Sequence, residues 1–328
     1  MNSIEWLFPT TVEQALAELQ RQDSQAVAGG TTLFDLAKLG HPTSRRLIDI
    51  SRLPLVAITA GDDNVSIGAL ASNSAVAAHE LVRSQCPAVS QAILLGASPQ
   101  IRNAASIGGN LLQATRCVYF RTPDWRCNRR SPGSGCEAQT APQPSHAVLG
   151  GSPSCIATHP SDVAVALLAL DATVLVNKHG DHSQRIAMAD LYPLPGETPH
   201  VTHTLPEGGL VTAVEIPRTA LAKRSGYLKL RSRTSYEFAA ASVAAGITLD
   251  GSVVTDVAVA LGGLGTRPWR RLDAEALLIG KALSPESVAT FCDRLLDAAE
   301  LHPATRHKVG LARGAIYRLL ATLSELDT

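Results

Sequence analysis

Four cysteines lie close together in the middle of this 328-residue chain, in a segment rich in arginine, proline and glycine. They are Cys117, Cys127, Cys136 and Cys155, with the spacing C-x9-C-x8-C-x18-C. The segment has no apolar periodicity, so burial of its side chains cannot offset the entropy that it loses on becoming ordered. Coordination of thiolates to a metal would offset that cost. We therefore predict a metal centre whose ligands are these four cysteines.

The spacing and the neighbouring charges indicate the type of centre. Zinc ribbons and fingers use paired CxxC motifs, which this segment lacks. Five arginines accompany the cysteines: Arg116, Arg121, Arg126, Arg129 and Arg130. Only Asp124 and Glu137 oppose their charge. A four-thiolate iron–sulfur cluster carries net negative charge, and its surroundings help to set its reduction potential. The pattern favours such a cluster, while zinc, disulfides and unpaired structural thiols remain alternative interpretations.

Two other cysteines and one histidine are assigned no ligand role. Cys86 and Cys292 lie outside the segment, and we expect them to be small buried hydrophobic residues. His159 follows Cys155 closely, but four thiolates already complete the coordination of a cluster. We expect His159 to be a neighbour of the centre.

Two glycine pairs predict a binding site for a phosphorylated ligand. The first glycine loop comprises Ala28, Gly29, Gly30, Thr31, Thr32 and Leu33, and the second comprises Ser106, Ile107, Gly108, Gly109 and Asn110. Glycine lets the backbone approach a ligand closely, and the amides and hydroxyls that follow can surround a phosphate. Two such loops favour a dinucleotide. The alternative is that both are simple turns, because the chain has neither GxGxxG nor a Walker motif.

Polar residues further along the chain have two interpretations each. Asp162 follows Ser161 at a predicted helix start, where both are ordinary capping residues; the functional alternative is that Asp162 faces the ligand. Period-two alternation places Lys229, Arg231 and Arg233 on one face of a strand, which is either solvated or in contact with a ligand or partner. We find no nucleophile with an assigned base, so the chain offers no catalytic residue.

The order of predicted elements indicates an α+β protein of three parts. Residues 1–57 read as a β-α-β unit and residues 58–220 as a second region that contains the cysteine loop, defined here as residues 115–157. Residues 221–328 read as a smaller α+β domain, with Ser284 and Pro285 starting a helix.

Composition excludes several classes of protein. The formal net charge is zero and aromatic residues make up 4%, so nucleic-acid binding is not expected. No apolar run is long enough to span a bilayer. The first residues do not form a signal peptide, because they lack a basic segment before an apolar core.

Taken together, these motifs resemble the FAD-binding medium subunit of the molybdenum hydroxylases, the xanthine dehydrogenase and carbon monoxide dehydrogenase family. AGGTTLFDLAKLG, IRNAASIGGNL, HPSDVAVALLALDA and GYLKLRSRTSYEFAAASVA carry the resemblance across nearly the whole chain. NLLQATRC, NRRSPGSGC and SCIATHPSD are most similar to the subgroup found in bacterial periplasmic aldehyde oxidoreductases.

The resemblance implies specific cofactor sites. It implies a two-subdomain FAD-binding fold of the vanillyl-alcohol-oxidase (PCMH) type, with a smaller C-terminal domain. FAD pyrophosphate would contact the first glycine loop, and further flavin contacts would come from the second glycine loop and from Asp162, Leu210 and Lys229. The four cysteines would ligate a [4Fe–4S] cluster.

The resemblance also implies partners and a role. A small subunit with two [2Fe–2S] clusters and a large subunit with the molybdenum cofactor would complete a heterotrimer, and electrons would leave from FAD to an external acceptor. The chain would reach the periplasm by co-export with a partner, or would stay in the cytoplasm. A stand-alone flavin oxidoreductase and a non-redox scaffold ordered by zinc or disulfides are the alternatives.

Overall fold

A computed structural model describes residues 4–180 and 183–325. Its amino-terminal part is a parallel three-stranded sheet with strand order β1-β3-β2. The elements are β1 (Glu5–Leu7), α1 (Val12–Leu19), β2 (Ser24–Val27), α2 (Leu33–Lys38) and β3 (Arg46–Asp49). Thr11 caps α1 by accepting a hydrogen bond from the Gln14 amide, and Leu16 and Ile48 lie in the small core between α1 and the sheet. The predicted β-α-β unit is therefore present.

The second region combines small helices with an antiparallel five-stranded sheet of order β4-β5-β8-β6-β7. Its strands are β4 (Ile58–Ala60), β5 (Asn64–Gly68), β6 (Thr173–Asn177), β7 (Gln184–Ala187) and β8 (Leu210–Pro217). Its helices are α3 (Asn73–Ala78), α4 (Glu80–Gln85), α5 (Pro87–Leu94), α6 (Pro99–Ala104), α7 (Ile107–Leu111), α8 (Val118–Arg121), α9 (Asp162–Ala169) and α10 (Met188–Leu191). From Val163 onward every residue of α9 is buried, which explains its uniformly apolar sequence. Between α7 and α9, the cysteine loop holds only α8 and one 3-10 turn, Glu137–Gln139.

The carboxyl-terminal part is an antiparallel sheet of order β11-β10-β9, flanked by helices. Its elements are α11 (Ala220–Lys223), β9 (Ser225–Leu230), β10 (Ala241–Asp250), β11 (Val253–Gly262), α12 (Leu272–Glu275), α13 (Pro285–Leu295) and α14 (His307–Ser324). The predicted start of α13 is confirmed, since Ser284 and Ser287 form a reciprocal capping box with Pro285 in the first turn.

Alternation along β10 and β11 divides the interior into two cores. Small residues such as Ala244 and Ala260 face the core of the second region, against α9, whereas larger residues such as Val243 and Val259 face α13 and α14. The sheet is consequently buried on both faces, and the C-terminal part is packed onto the second region. The predicted α+β architecture is confirmed.

The strand predicted to carry Lys229, Arg231 and Arg233 on one face is shorter than expected. It ends at Leu230, and the next strand starts at Ala241, so both arginines lie in the connecting loop. The prediction of a shared basic face holds for Lys229 and Arg231, which both donate to the Leu95 carbonyl at 3.1 Å. It was wrong for Arg233, whose guanidinium donates to the Tyr236 carbonyl within the turn. Within the described residues, no helix is both long and apolar enough to cross a membrane.

Candidate cofactor sites

A cleft of about 1100 Å³ lies between the amino-terminal part and the second region. Most of the residues predicted to contact a dinucleotide line it: Ala28, Gly29, Gly30, Thr31, Thr32, Leu33, Ser106, Gly108, Gly109 and Leu210. The first glycine loop follows β2 and leads into α2, and the second leads into α7. The fold thus brings both glycine loops to one cavity.

The glycines in these loops stand where a side chain would not fit. A β-carbon at Gly29 would lie 1.8 Å from the carbonyl oxygen of Ala104, and one at Gly108 would lie 3.0 Å from the β-carbon of Ala69. Gly30 has a φ of +65°, in the left-handed region that favours glycine. Glycine is therefore required here by contacts within the fold. The same residues line the cleft without side chains, which fits the close approach of a pyrophosphate.

Four of the predicted contact residues do not line the cleft. Ile107 is fully buried, and the side-chain oxygen of Asn110 accepts a hydrogen bond of 2.6 Å from the Ser161 hydroxyl. Asp162 and Lys229 form a buried ion pair of 2.8 Å. In this structure these residues support the second glycine loop and the start of α9.

The Asp162 carboxylate is also bonded by a tyrosine. Tyr227 donates a 2.6 Å hydrogen bond to it, and Lys229 donates to the Leu95 carbonyl as well. Burial, and then the charge of Asp162, raise the pKa of Tyr227 well above its ordinary value. Ser161 provides the cap of α9, as its hydroxyl accepts from the Ala164 amide. The start of α9 is therefore capped by Ser161 in the ordinary way. The Asp162 side chain instead binds Tyr227 and Lys229 of β9.

The four predicted metal ligands surround one small cavity, although the loop that carries them is irregular. Cys117, Cys127 and Cys155 are buried, Cys136 is partly buried, and all are free thiols. Cys127 and Cys136 are also paired as an isolated antiparallel bridge. Burial raises the pKa of Cys117 to about 11 and that of Cys136 above its ordinary value. A metal would have to displace these protons.

The chemistry of the four thiols limits the type of centre that they could hold. Four cysteines line one cavity, and four thiolates are the ligand set of a [4Fe–4S] cluster. Four thiolates are also a ligand set of structural zinc, which bonds each sulfur at about 2.3 Å. Within residues 4–180 and 183–325, no three histidine, cysteine or acidic side chains are grouped closely enough to hold a single metal ion. The residue types present fit a thiolate-bound centre of either kind.

One arginine holds the first half of the cysteine loop. The Arg130 guanidinium donates to the Tyr119, Phe120 and Pro123 carbonyls at 2.8, 2.6 and 2.9 Å, and also to that of Trp125. A planar fork with five N–H donors suits several carbonyls at once. This segment is therefore ordered by side-chain bonds to its backbone.

A second pair of arginines ties the cysteine loop to α2. Arg116 and Arg121 bind one carboxylate oxygen of Asp35 at 3.0 and 2.8 Å. Burial by itself would raise the pKa of Asp35, but the hydrogen bonds and charges of the two arginines hold it below its usual range. The loop that carries the cysteines is thus linked to the helix that follows the first glycine loop.

Sequence reasoning missed two residues beside the thiols, His146 and Phe120, and named a third, Arg129, only as part of the local charge. His146 places Nε2 3.3 Å from the Sγ of Cys117, and burial together with the charge of Lys308 lowers its pKa to about 4. Arg129 lies 4.0 Å from the Sγ of Cys155. Arg129 and Phe120 line both the cleft and the thiol cavity. The run of arginines was a signal for Arg129, whereas nothing in the spacing marked His146 or Phe120.

The residues assigned no ligand role lie apart from the cavity or face away from it. Cys86 is in the core of the second region and Cys292 in the C-terminal core, both fully buried. The ring of His159 packs on Tyr192 with 4.2 Å between centroids. Burial, and then the charge of Arg129, lower the pKa of His159 to about 3.

Two glycine loops thus line a large cleft on a two-part α+β frame, with a sheet-and-helix domain behind it. A family profile described as "FAD binding domain in molybdopterin dehydrogenase" matches residues 2–219, and one described as "CO dehydrogenase flavoprotein C-terminal domain" matches residues 226–322. The chain belongs to the family of FAD-binding subunits of the molybdenum hydroxylases. The predicted family and fold class are confirmed.

Similar proteins extend over nearly the whole chain. The aldehyde oxidoreductase FAD-binding subunit PaoB of Escherichia coli is 43% identical over 313 residues, covering 95% of each chain. The glyceraldehyde dehydrogenase medium chain of Sulfolobus acidocaldarius is 26% identical, covering 91% of this chain and 88% of that one. The carbon monoxide dehydrogenase medium chain of Hydrogenophaga pseudoflava is 24% identical, covering 96% and 95%.

Solved structures show the same fold. Carbon monoxide dehydrogenase from Hydrogenophaga pseudoflava superposes with a TM-score of 0.75 at 22% identity, over 98% of this chain and 97% of that one. Quinoline 2-oxidoreductase from Pseudomonas putida 86 gives 0.75 at 18% identity with the same coverage.

Proposed function

We propose that this chain is the FAD- and [4Fe–4S]-containing electron-transfer subunit of a heterotrimeric molybdenum-dependent aldehyde oxidoreductase. In this proposal, electrons arrive from a large molybdenum-cofactor subunit through a small [2Fe–2S] subunit and leave to an external acceptor. The 43% identity to a relative named as an aldehyde oxidoreductase FAD-binding subunit supports the substrate class. Relatives named as medium chains support the existence of partner subunits.

One observation carries the electron-transfer role. Phe120 and Arg129 belong to the cysteine loop, yet they form part of the wall of the cleft and also line the thiol cavity. FAD in the cleft and a cluster in the thiol cavity would therefore be separated by these shared side chains. This proximity is what a chain needs if it is to exchange electrons between two centres.

The chain's own residues bind and orient the flavin. Backbone N–H groups of the two glycine loops would hold the pyrophosphate, because bare backbone leaves room there. Thr32 precedes α2 without making a side-chain capping bond, so its hydroxyl is available to a phosphate. The buried pair of Asp162 and Lys229 would fix the start of α9, where the Ser161 hydroxyl binds Asn110 of the second glycine loop. When bound, FAD supplies the exchange between two-electron and one-electron transfer.

The test separates this role from that of a self-sufficient oxidase. The complex, isolated through a tag on this chain, should contain FAD, iron, sulfide and two partner chains. A matched preparation from tungstate-grown cells would carry an inactive metal in the large subunit. Rapid mixing of that preparation with an aldehyde should leave the flavin oxidised, whereas dithionite should reduce it. Flavin reduction by aldehyde in the tungstate preparation would contradict the proposal and support a stand-alone oxidoreductase.

Metal analysis of the same complex tests the alternative scaffold. Four irons and four sulfides per copy of this chain, beyond those of the partner subunit, are expected from the cluster. A chain that contains zinc, or neither metal, would contradict the [4Fe–4S] assignment while leaving the FAD assignment intact.

A further inference from the structure

His146 lies between a predicted cluster ligand and a buried lysine of the C-terminal part. Its side chain is 1% exposed, and its Nε2 atom is 3.3 Å from the Sγ of Cys117. The spacing of the cysteines gives this histidine no role. Within the described residues, Cys117 Sγ has no other side-chain partner. The position of His146 therefore suggests a role at this sulfur.

The hydrogen-bond pattern fixes the tautomer of the ring. The backbone N–H of Gln143 donates to Nδ1 of His146 at 2.8 Å. A nitrogen that accepts a hydrogen bond carries no proton, so the proton of the neutral ring is on Nε2. Nε2 is therefore a donor, and it is directed at the sulfur of Cys117.

Besides the Gln143 bond, two contacts hold His146 in this orientation, one from Lys308 and one from Tyr119. The Lys308 ammonium, fully buried, donates to the His146 carbonyl at 2.8 Å and to the Gly263 carbonyl at 2.6 Å. Tyr119 stacks on the imidazole with centroids 5.9 Å apart and an interplanar angle of 20°. The Tyr119 hydroxyl is itself bonded to the Ala141 carbonyl at 2.6 Å. The donor is thus fixed in place before any cofactor binds.

We propose that His146, positioned by Lys308, donates a permanent N–H···S hydrogen bond to the Cys117 thiolate and thereby raises the reduction potential of the [4Fe–4S] cluster. The inference rests on the proposed cluster. A donor at a ligating sulfur withdraws electron density and stabilises the more negative, reduced form, so the one-electron reduction becomes easier. Lys308 acts through His146, because its hydrogen bond to the His146 carbonyl keeps the ring in place. His146 is a positioning residue, because it acts through Cys117.

The first test uses the wild-type complex alone. The protein is labelled with 15N-histidine, the cluster is reduced, and pulsed EPR is used to look for a magnetic coupling to a histidine nitrogen. We expect such a coupling, together with one exchangeable proton lost in D2O. Its absence would overturn the proposal. A wild-type complex without any cluster would instead contradict the proposed function, so the two failures are distinguishable.

The second test uses three variants in an EPR-monitored redox titration. His146→Phe keeps the ring but removes the donor, so the cluster potential should shift to more negative values and the nitrogen coupling should disappear. Lys308→Met should produce a smaller shift in the same direction. Tyr119→Phe is the matched control, since it removes a hydrogen bond in the same cluster of side chains without touching a sulfur, and it should leave the potential unchanged.

Each outcome decides the matter. An unshifted potential in His146→Phe, or a shift of equal size in Tyr119→Phe, would overturn the proposal. If His146→Phe fails to retain iron, the wild-type nitrogen coupling decides: its presence supports the hydrogen bond, and its absence rules it out.

Discussion

In the cleft, the lining loops are short links between regular elements, and glycine backbone gives them their shape. In the cysteine loop, by contrast, regular structure is almost absent, and side chains such as Arg130 hold the backbone through its carbonyls. The cleft is thus specified locally by strand, turn and helix, whereas the cysteine loop depends on contacts made across the fold. We therefore expect a substitution at one site to leave the other site unchanged. The exception is a substitution at Asp35, which links the two sites through its ion pairs with Arg116 and Arg121.

The largest effect should follow loss of a thiol ligand. Cys155→Ser should abolish the cluster, because one of four ligands is replaced by a hydroxyl that binds iron poorly. Iron analysis and visible spectra should show this, while FAD content stays at the wild-type level. Cys292→Ser is the control at a buried cysteine away from the cavity and should keep its iron. Four irons and an unaltered spectrum in Cys155→Ser would refute the ligand assignment.

Loss of flavin with retained iron should follow a change in the first glycine loop. At Gly30, where φ is +65°, valine would be strained and its β-carbon would lie 2.2 Å from the Phe34 ring. Gly30→Val should therefore yield protein without FAD. Gly251→Val is the control, because it introduces valine at a φ of +57° in an open turn with a similar backbone strain of about 1–3 kcal/mol. We expect this control to keep its FAD. Flavin fluorescence after denaturation measures both, and full FAD occupancy in a folded Gly30→Val protein would count against the site.

A weaker effect is expected at the arginine that organises the cysteine loop. Arg130→Met leaves several backbone carbonyls without their donor, at a cost of about 1–3 kcal/mol. Chelator-induced loss of iron should accelerate, and limited proteolysis should cut within the cysteine loop. Arg126→Met is the control, because Arg126 forms an exposed pair with Glu137 at 3.1 Å. Equal iron-loss rates in the two variants would show that Arg130 does not organise the loop.

The smallest effect is expected at the link between the two sites. Asp35→Asn removes the charge shared by Arg116 and Arg121, and because the carboxylate is partly exposed the loss should be below about 1 kcal/mol. The pKa of Asp35 is lower in the folded protein than its ordinary value near 4. The ion pairs therefore stabilise the fold fully at pH values above that ordinary pKa, and their contribution disappears as the pH falls through the lowered pKa.

A matched surface carboxylate provides the comparison for Asp35. Asp273 is likewise held by two arginines, at 2.7 and 2.6 Å, but far from the cofactor sites. Thermal midpoints of Asp35→Asn and Asp273→Asn should fall by similar small amounts, while only Asp35→Asn should alter the rate of electron exchange between flavin and cluster. Unchanged exchange in both would show that the link is structural only.

The cleft could be predicted from the sequence because its determinants are local. Glycine pairs at the start of a helix indicate a close backbone approach; Gly29 stands where no β-carbon fits, and Gly108 stands where a β-carbon would be tightly packed. Asp162 and Lys229 were predicted to contact the ligand but do not line the cleft, because long-range packing determines where their side chains lie. Asp162 and Lys229 are 67 residues apart and bind each other, which no local pattern reveals.

The cysteine loop was predictable in its ligand types but not in its surroundings. Four thiols in an arginine-rich segment predicted a shared cavity, and the structure brings them to one. His146 gave no signal, because it becomes a neighbour of Cys117 only through a turn that Gln143 closes. Alternation likewise gave a wrong prediction for Arg233, since a period-two pattern cannot show where a strand ends.

The buried ammonium of Lys308 bears on the order of events during biogenesis. It belongs to α14, 162 residues beyond the histidine whose carbonyl it holds. The ribosome therefore releases the cysteine loop well before the helix that completes its surroundings, and the contact that holds His146 beside Cys117 cannot form until that helix has docked. Under the proposed cluster assignment, iron delivery would accordingly be a late, post-translational step, and we expect a truncated product that lacks α14 to lack iron.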